Sequence, residues 1–189
     1  MGSGVPASVI DPAIHQPLLD DWENIAREAN VPVGCLEVPM KSTCTDAEIE
    51  YVKALRRKAS ENKYGLVYMG DKPTYPMTNR MIAITAACLR NYIEARVMTL
   101  DEVLQNVKKG DMPSPTVLLI PNFHVGNSEG GKIADWQVSG LLSMLYDRQV
   151  SGKQTFLYVR SLKGIQTAYG DVFAQHILAN FEILQEGQE

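Results

Sequence analysis

The sequence predicts an α/β fold in which a parallel sheet carries helices on both faces, with a helical extension at the N-terminus. Short apolar runs alternate with helical patterns from residue 64 to residue 184, and only short joints separate them. The run at 116–123 is apolar at nearly every position, as expected for a strand covered by helices on both sides. A chain of 189 residues, 45% hydrophobic and 21% charged, suits one such domain with a short appendage.

Residues 1–45 are predicted to precede the α/β domain, which then spans residues 46–189. Residues 1–17 carry three prolines and no clear period, so we expect an arm there. Residues 18–30 are expected to form a short helix and residues 31–39 an extended connector. The apolar side of this helix consists of Leu18, Trp22, Ile25 and Ala29.

A capping box starts the next predicted helix, because Thr45 is followed three residues later by Glu48. The apolar stripe of this helix continues to about residue 63. Beyond it, the alternating pattern predicts strands at 64–70, 95–100, 116–123, 153–162 and 181–184. Helices are predicted between these strands at 79–93, 101–108, 133–149 and 163–178.

Four basic residues lie close together on the helix that begins after the capping box: Lys53, Arg56, Arg57 and Lys58. They are typical of a solvated helix face, and they also suit a contact with nucleic acid or with a partner protein. A single-stranded nucleic acid bound there would also use Arg80, Arg90 and Arg96, and its affinity would fall steeply with salt. The formal net charge of -4 makes the whole domain a poor ligand for DNA phosphate, so such binding would depend on a local stripe.

The cysteines and the absence of targeting signals predict a cytoplasmic protein. Cys35, Cys44 and Cys88 fit no metal-ligand spacing and are typical of reduced thiols. No run of about 18 apolar residues occurs, so neither a transmembrane helix nor a membrane partner is expected. The first residues lack the basic and apolar regions of a signal peptide.

The segment GNSEGGK, from Gly126 to Lys132, matches the first seven positions of the Walker A phosphate loop. In such a loop, glycines let backbone N–H groups surround phosphate, the lysine reaches the β- and γ-phosphates, and a following hydroxyl holds Mg²⁺. Gly126, Gly131 and Lys132 are present, but Ile133 stands where the hydroxyl is required. The two interpretations are therefore a turn that needs glycines and an unusual phosphate loop with ATP and Mg²⁺ as cofactors.

A second candidate phosphate loop, GDKPTYPM, follows the first predicted strand, which is the usual position of such a loop. Gly70 keeps the first glycine of the Walker A pattern. The second glycine, the lysine and the hydroxyl are replaced by Tyr75, Pro76 and Met77. A side chain at Tyr75 obstructs phosphate, and Pro76 offers neither an ammonium nor an N–H group. The sequence thus predicts a degenerate site that cannot hold a triphosphate in the usual way.

From Tyr64 to Leu184 the order of elements resembles the AAA+ core of bacterial helicase loaders of the DnaC/DnaI type and of IstB-like transposition helper ATPases. LVYMG resembles the strand that leads into Walker A, and VLLIPNF resembles the Walker B strand. ADWQVSGLLSMLYDRQVSGKQTFLYVRSL resembles the segment in which a helix ending in arginine leads to the sensor strand, and VFAQHIL resembles the segment with an arginine finger. The resemblance covers about residues 46–185 and implies a P-loop NTPase (AAA+)-like core.

The resemblance also shows which catalytic residues are replaced. Pro121 and Asn122 stand where the Walker B aspartate and glutamate are expected. The resemblance thus implies that Mg²⁺ loses its usual ligand and that the attacking water loses the residue that activates it. Two further pairs stand near the polar sensor and near the arginine finger: Val159 with Arg160, and Gln175 with His176. The resemblance therefore implies a scaffold without catalytic residues and without a cofactor.

The predicted function is an interaction or assembly module in DNA replication, recombination or transposition. The expected partner is a protein: a second copy of the chain, an active AAA+ relative or a helicase-like protein. The alternatives are an NTPase that uses Gly126–Lys132 and a nucleic-acid-binding accessory protein. Four large side chains suit either a protein contact or core packing: Phe123, Trp136, Met144 and Tyr146.

Overall fold

A computed structural model describes residues 9–71, 73, 75–124 and 133–187, and its centre is a five-stranded parallel sheet. In chain order the strands are β1 (Gly65–Met69), β2 (Ala95–Val97), β3 (Val117–His124), β4 (Gln154–Val159) and β5 (Glu182–Gln185). In the sheet they lie in the order β2-β3-β4-β1-β5. Each strand falls within or beside its predicted range, and the predicted parallel α/β sheet is confirmed.

The three central strands, β3, β4 and β1, are largely buried on both faces of the sheet, and their side chains alternate between two hydrophobic cores. In β1, Leu66 and Tyr68 belong to one core, whereas Val67 and Met69 belong to the other. All six residues of β4 are buried as well. Two-sided burial explains why these strands are continuous apolar runs in the sequence.

From residue 9 onward, four short helices and two 3-10 helices precede the sheet. They are α1 (Pro12–Asp20), α2 (Trp22–Glu28), α3 (Asp46–Lys53) and α4 (Leu55–Ser60), with 3-10 helices at Val33–Glu37 and Met40–Ser42. The arm predicted for residues 1–17 is wrong for residues 12–17, because they belong to α1. The connector predicted to be extended at 31–39 contains the 3-10 helix Val33–Glu37. Pro12 does not prevent a helix, because it stands in the first turn, where no intrahelical N–H is required.

These N-terminal helices pack into one of the two cores. Trp22, Ala26 and Ala29 are buried there, and the Trp22 indole donates a hydrogen bond to the Val33 carbonyl oxygen at 2.6 Å. Ile25, which was predicted to face inward, is only partly buried. The extension therefore covers one face of the sheet.

Within the described residues, five helices follow β1. They are α5 (Met77–Arg90), on the same face as the extension, and α6 (Leu100–Lys109), α7 (Asp135–Val150), α8 (Leu162–Tyr169) and α9 (Asp171–Asn180), on the opposite face. The capping box of Thr45 and Glu48 is confirmed, but the helix that it starts breaks at Ala54 into α3 and α4. The helix predicted at 163–178 also breaks, at Gly170, whose φ of 90° is a conformation that glycine adopts readily.

The three cysteines are free thiols, as predicted. Burial raises the pKa of Cys35 to about 11 and the pKa values of Cys44 and Cys88 to about 12, which makes the thiolates rare at neutral pH. Within the described ranges, no three metal-ligating side chains cluster together, and no helix is both long and apolar enough to cross a membrane.

Candidate functional site

The carboxyl ends of the parallel strands meet at one edge of the sheet, and this edge contains the turn after β1. The strand that follows β1 in the chain, β2, lies at the far side of the sheet, whereas β4 and β5 flank β1. From β1 the chain crosses to the edge strand β2, and β3 and β4 then return step by step toward β1. The order in which the chain adds strands therefore reverses beside β1. In open α/β sheets, ligands bind in the crevice at such a reversal, outside the carboxyl ends of the strands.

The backbone of Gly70, at the end of β1, is enclosed by other parts of the chain. Its N–H donates to the Val159 carbonyl oxygen at 3.2 Å, and its carbonyl oxygen accepts from the Tyr158 hydroxyl at 2.9 Å. The segment after β5 crosses directly over it, because the Glu186 N–H donates to the Met69 carbonyl oxygen at 2.7 Å. The backbone that would approach phosphate in a Walker A loop is thus bonded to the protein itself.

The side chains at the other degenerate positions of this turn provide no phosphate ligand either. Pro76 is the N-cap of α5 and provides no side-chain cap, and Met77 begins the helix with its side chain buried in the core. Tyr75 is about half exposed and projects from the turn. Lys72 and Thr74 of the same turn lie outside the described residues. The degeneracy of the phosphate site therefore stays a prediction.

A buried ion-pair network lies beside this turn, centred on Arg80 in α5. Its guanidinium bonds to both carboxylate oxygens of Glu48 from α3, with Nε–Oε1 and Nη2–Oε2 distances of 3.1 and 2.7 Å. Nη1 bonds to Oε2 of Glu186 at 2.6 Å. The aromatic ring of Tyr68 in β1 lies 5.0 Å from the guanidinium carbon. We call Glu48, Arg80 and Glu186 the charge triad.

The charge triad satisfies its own charges within the fold. The side chains of Arg80 and Glu48 are 1% and 0% exposed, and that of Glu186 is 6% exposed. Burial alone would lower the pKa of Arg80, but hydrogen bonds to Glu186 and Glu48 outweigh it and raise this pKa. Thr45 adds its backbone N–H and its hydroxyl to Glu48, at 2.6 and 2.9 Å. The triad therefore ties α3, α5 and the segment after β5 together beside the turn.

At the end of β3, the two residues in the Walker B positions have structural roles. Pro121 is buried, and the regular pairing of β3 with β4 is interrupted between Ile120 and His124, where a residue without an N–H is tolerated. The side-chain oxygen of Asn122 accepts a hydrogen bond from the Leu100 N–H at 2.9 Å. Asn122 therefore satisfies a free N–H at the start of α6 rather than facing an open site.

The end of β4 carries an ion pair in the sensor region. Arg160 bonds to Asp71 at 2.8 Å, and both side chains are partly or largely exposed. Its neighbour Val159 is buried in the core. His124 lies near Arg160, and its pKa is lowered first by burial and then by the charge of Arg160. The imidazole of His124 is therefore neutral at neutral pH.

The two residues near the arginine-finger position have different environments. Gln175 is exposed on α9. His176 is buried, with its ring 4.6 Å from that of Tyr146 and 6.2 Å from that of Phe181. Burial lowers the pKa of His176, so it is an uncharged packing residue at neutral pH.

The predicted basic cluster is only partly brought together. Lys53, Arg56 and Arg57 line one groove, whereas Lys58 turns away and bonds to Glu182 at 2.5 Å. Arg80 and Arg90 are both buried and hydrogen-bonded, so the prediction that they contact nucleic acid is wrong. Arg96 is exposed but lines a different cavity.

Two of the predicted aromatic and methionine contact residues belong to the core and two do not. Phe123 and Met144 are fully buried. Trp136 and Tyr146 are 52% and 46% exposed on α7. The alternative phosphate loop, with Gly126, Gly131 and Lys132, lies outside the described residues, and its role stays a prediction.

Changing Gly70 to alanine is expected to destabilise the turn by about 1–3 kcal/mol. A Cβ atom built on Gly70 would lie 2.2 Å from the Glu186 carbonyl oxygen, and the φ of 157° already disfavours a side chain. Urea denaturation of Gly70→Ala beside Gly34→Ala checks this, since a Cβ on Gly34 meets nothing within 4 Å. Equal stabilities of the two variants would contradict the close approach of the last segment.

The sequence alone missed the charge triad. Glu48 is visible as a capping residue, but its partners Arg80 and Glu186 lie 32 and 138 positions further along the chain. No local period connects such residues. The signal that was available is the charged side chain at Arg80, which stands on the apolar side of an otherwise buried helix.

Comparison with known proteins gives structural likeness without sequence likeness. No protein-family model matches the chain, and neither does any curated protein. The AMPPCP-bound structure of DnaA from Aquifex aeolicus is similar with a TM-score of 0.58 and 13% identity, over 80% of this chain and 50% of that one. The structure of a replication initiator DnaA bound to AMPPCP and single-stranded DNA is similar with a TM-score of 0.58 and 15% identity, over 80% of this chain and 50% of that one.

The structure of the DnaC helicase loader is also similar, with a TM-score of 0.53 and 15% identity, over 75% of this chain and 89% of that one. The chain thus spans about half the length of the DnaA structures and most of the length of the DnaC structure. At these identities the likeness concerns the fold.

Proposed function

We propose that this chain, which has the fold of the P-loop AAA+ proteins DnaA and DnaC, is an assembly module that does not hydrolyse nucleotide. The charge triad is the observation that carries this proposal. It occupies the crevice beside β1 and the start of α5, where phosphates of a nucleotide would need cations and free N–H groups. The only cation of the triad, Arg80, already bonds to two carboxylates.

The remaining groups at this edge of the sheet support the same proposal. The triad has one arginine and two glutamates, so its net charge is negative. This charge would repel the phosphate groups of a nucleotide. Mg²⁺ would need oxygen ligands at the end of β3, but Pro121 has none in its side chain and the oxygen of Asn122 is bonded to Leu100. Among the described residues, the end of β3 therefore offers no free side-chain oxygen to Mg²⁺.

The similar structures suggest the setting of the proposed module. DnaA is described as a replication initiator and DnaC as a helicase loader, so we place this chain in DNA replication, recombination or transposition. Its partner would be a protein, namely another copy of the chain, an active AAA+ relative or a helicase-like protein. An AAA+ scaffold without a functional nucleotide site retains its helices and surface for such contacts.

Isothermal titration calorimetry with ATP and with ADP, each with Mg²⁺, tests the proposal. We expect no binding tighter than about 1 mM and no release of phosphate from ATP. Micromolar, Mg²⁺-dependent binding would overturn the proposal. In that case Lys132→Ala identifies the site, because loss of binding in this variant would support the alternative phosphate loop at Gly126–Lys132.

A further inference from the structure

We propose that this chain binds a short extended segment of a partner protein along the outer edge of β2, with one aliphatic side chain of that segment in a cavity beside Ala95. Within the described sheet, β2 is an edge strand with β3 as its neighbour. In this mode of recognition the main chain of the partner adds a strand to the sheet. The inference rests on the proposed role as an assembly module, and it names one contact surface and the kind of segment that fits it.

The backbone of Ala95 points away from the rest of the sheet. The Val117 N–H donates to the Glu94 carbonyl oxygen at 3.0 Å, so the residue before Ala95 bonds inward to β3. Inward and outward positions alternate along a parallel strand, so Ala95 and Val97 both bond outward. The Val97 N–H accordingly donates to the Ala29 carbonyl oxygen at 3.0 Å, outside the sheet.

The fold covers this outer edge at Val97 but not at Ala95. Besides Ala29, the side-chain amide of Asn30 bonds to Val97, at 3.1 Å from its carbonyl oxygen. Within the described residues, no group outside the sheet bonds to the N–H or the carbonyl oxygen of Ala95. Ala95 is only 2% exposed, and an unpaired backbone donor and acceptor in such a place are costly. A peptide group of an added strand would satisfy both.

A cavity of about 500 Å³ lies against this part of the edge. Its lining comes from the ends of α2 and α5, the start of β2, and the segment from α6 to β3. Toward α5 the lining is apolar and consists of Ile25, Ala29 and Leu89. The volume lies within the range of small-ligand pockets, so the cavity can hold an aliphatic side chain and a short stretch of backbone. Exposed side chains at the rim must turn aside on binding, as is common at interfaces.

The register of an added strand decides which of its side chains meets the apolar lining. Residues that are directly opposite each other in neighbouring strands place their side chains on the same face of the sheet. Ala95 belongs to the core on the α5 side, and so does Ala29 opposite Val97. The residue that pairs with Ala95 therefore directs its side chain toward Ile25 and Leu89. An aliphatic residue fits this position.

The neighbours of that aliphatic residue meet a polar side of the cavity. Arg96, Asn106 and Asp111 line the cavity toward α6. Arg96 and Asp111 have opposite charges, and neither forms an ion pair within the described residues. Successive side chains of a strand point to opposite faces, so the segment that fits has a polar residue on each side of the aliphatic one.

The composition of the cavity favours a peptide over a nucleic acid. Three carboxylates and two guanidinium groups line it: Glu28, Glu94, Asp111, Arg27 and Arg96. A site for nucleic acid needs an excess of positive charge and, for single strands, aromatic side chains that stack on bases. Among the described residues, the lining contains no aromatic side chain. A peptide group and an aliphatic side chain need neither feature.

A titration of the ¹⁵N-labelled full chain, followed by nuclear magnetic resonance, tests the inference. The probe is an acetylated and amidated pentapeptide with leucine between two pairs of threonines. We expect the Ala95 amide resonance to move downfield to saturation, with a dissociation constant of about 1 mM or tighter. The same peptide N-methylated at its three central residues keeps its side chains but loses backbone donors, so it should bind at least about tenfold more weakly. A peptide with aspartate in place of leucine should weaken to the same extent.

A variant of Ile25 tests the side-chain contact. Ile25→Lys should bind the leucine peptide at least about tenfold more weakly and should prefer the aspartate peptide, because the lysine supplies an opposite charge. Ile14→Lys, at a residue that is 59% exposed on α1 and does not line the cavity, is the matched control and should keep the original preference. Circular dichroism confirms that both variants are folded.

Four results would overturn the inference: no binding of the leucine peptide, an unchanged Ala95 resonance at saturation, equal binding of the N-methylated peptide, or an unchanged preference in Ile25→Lys. Competition between the leucine peptide and a dT oligonucleotide would overturn it as well. The cavity lies at the amino ends of β2 and β3, at the opposite edge of the sheet from the turn after β1. Because the titration contains no ATP or ADP, its failure leaves the proposed function to be decided by the calorimetric experiment.

Discussion

Replacing Arg80 by methionine is expected to lower the free energy of unfolding by about 3–5 kcal/mol. The variant keeps a long side chain in the core but leaves Glu48, which is 0% exposed, without its cation. The hydrogen bonds from Thr45 remain, yet they cannot replace the charge of the guanidinium. Glu186 loses its partner too, so the segment after β5 should detach more readily from Gly70. Urea denaturation followed by circular dichroism measures the change.

A double variant separates a lost ion pair from lost packing. Glu48→Gln removes the buried charge, so Arg80→Met combined with Glu48→Gln should be more stable than Arg80→Met alone. Arg56→Met is the matched control, since Arg56 is an exposed arginine on α4, and it should change stability by less than about 0.5 kcal/mol. A loss of less than about 1 kcal/mol in Arg80→Met would contradict the burial of the ion pair between Glu48 and Arg80.

The parallel sheet was predictable because each strand carries its own local signal. The run at Val117–Ile120 is apolar on both faces, and only a strand between two layers of helices needs this composition. Breaks within helices were not predictable from the same period. Ala54 interrupts a helix whose apolar stripe continues past the break, because tertiary packing outweighs the helix preference of alanine there. At Gly170 the break agrees with the residue itself, because glycine adopts a positive φ readily and commonly ends helices.

The candidate site was predictable only as a set of missing groups. The sequence alone shows that Tyr75, Pro76 and Met77 cannot provide the groups of a Walker A loop. It does not show what fills the crevice, because Glu48, Arg80 and Glu186 belong to three elements that are far apart in the chain and meet only in the folded structure. Residues so distant in the chain meet through topology, and no pattern with a period of two or four residues records such meetings.

Arg148, at the end of α7, is another residue whose partners are visible only in the structure. The resemblance to helicase loaders rested partly on Arg148, in the stretch RQVSGKQT before β4. The structure gives this residue a structural role. Arg148 is 3% exposed, and its guanidinium bonds to the carbonyl oxygens of Pro113, Pro115 and Gln154, and to the Thr155 hydroxyl. It thus joins α7, the start of β4 and the loop before β3.

Replacing Arg148 by methionine is expected to lower the free energy of unfolding by about 2–4 kcal/mol. Two effects oppose each other. Burial lowers the pKa of Arg148 to about 10, so the folded protein bears a cost for the charge, and methionine removes this cost. However, the carbonyl oxygens of Pro113, Pro115 and Gln154 would lose a donor in a buried place, at about 1–3 kcal/mol for each group that water cannot reach. The lost hydrogen bonds outweigh the relieved charge because one guanidinium serves several acceptors.

Arg148→Lys tests whether the geometry or the charge matters at this position. An ammonium group keeps the charge but cannot reach acceptors on both segments at once, so we expect a loss close to that of methionine. Arg96→Met, on the exposed side of β2, is the control and should be nearly neutral. Thermal unfolding by calorimetry gives the comparison, and retained stability in Arg148→Lys would show that charge alone stabilises the junction. Because Arg148 bonds to no carboxylate, its stabilising effect should also persist at high salt, unlike that of an exposed ion pair.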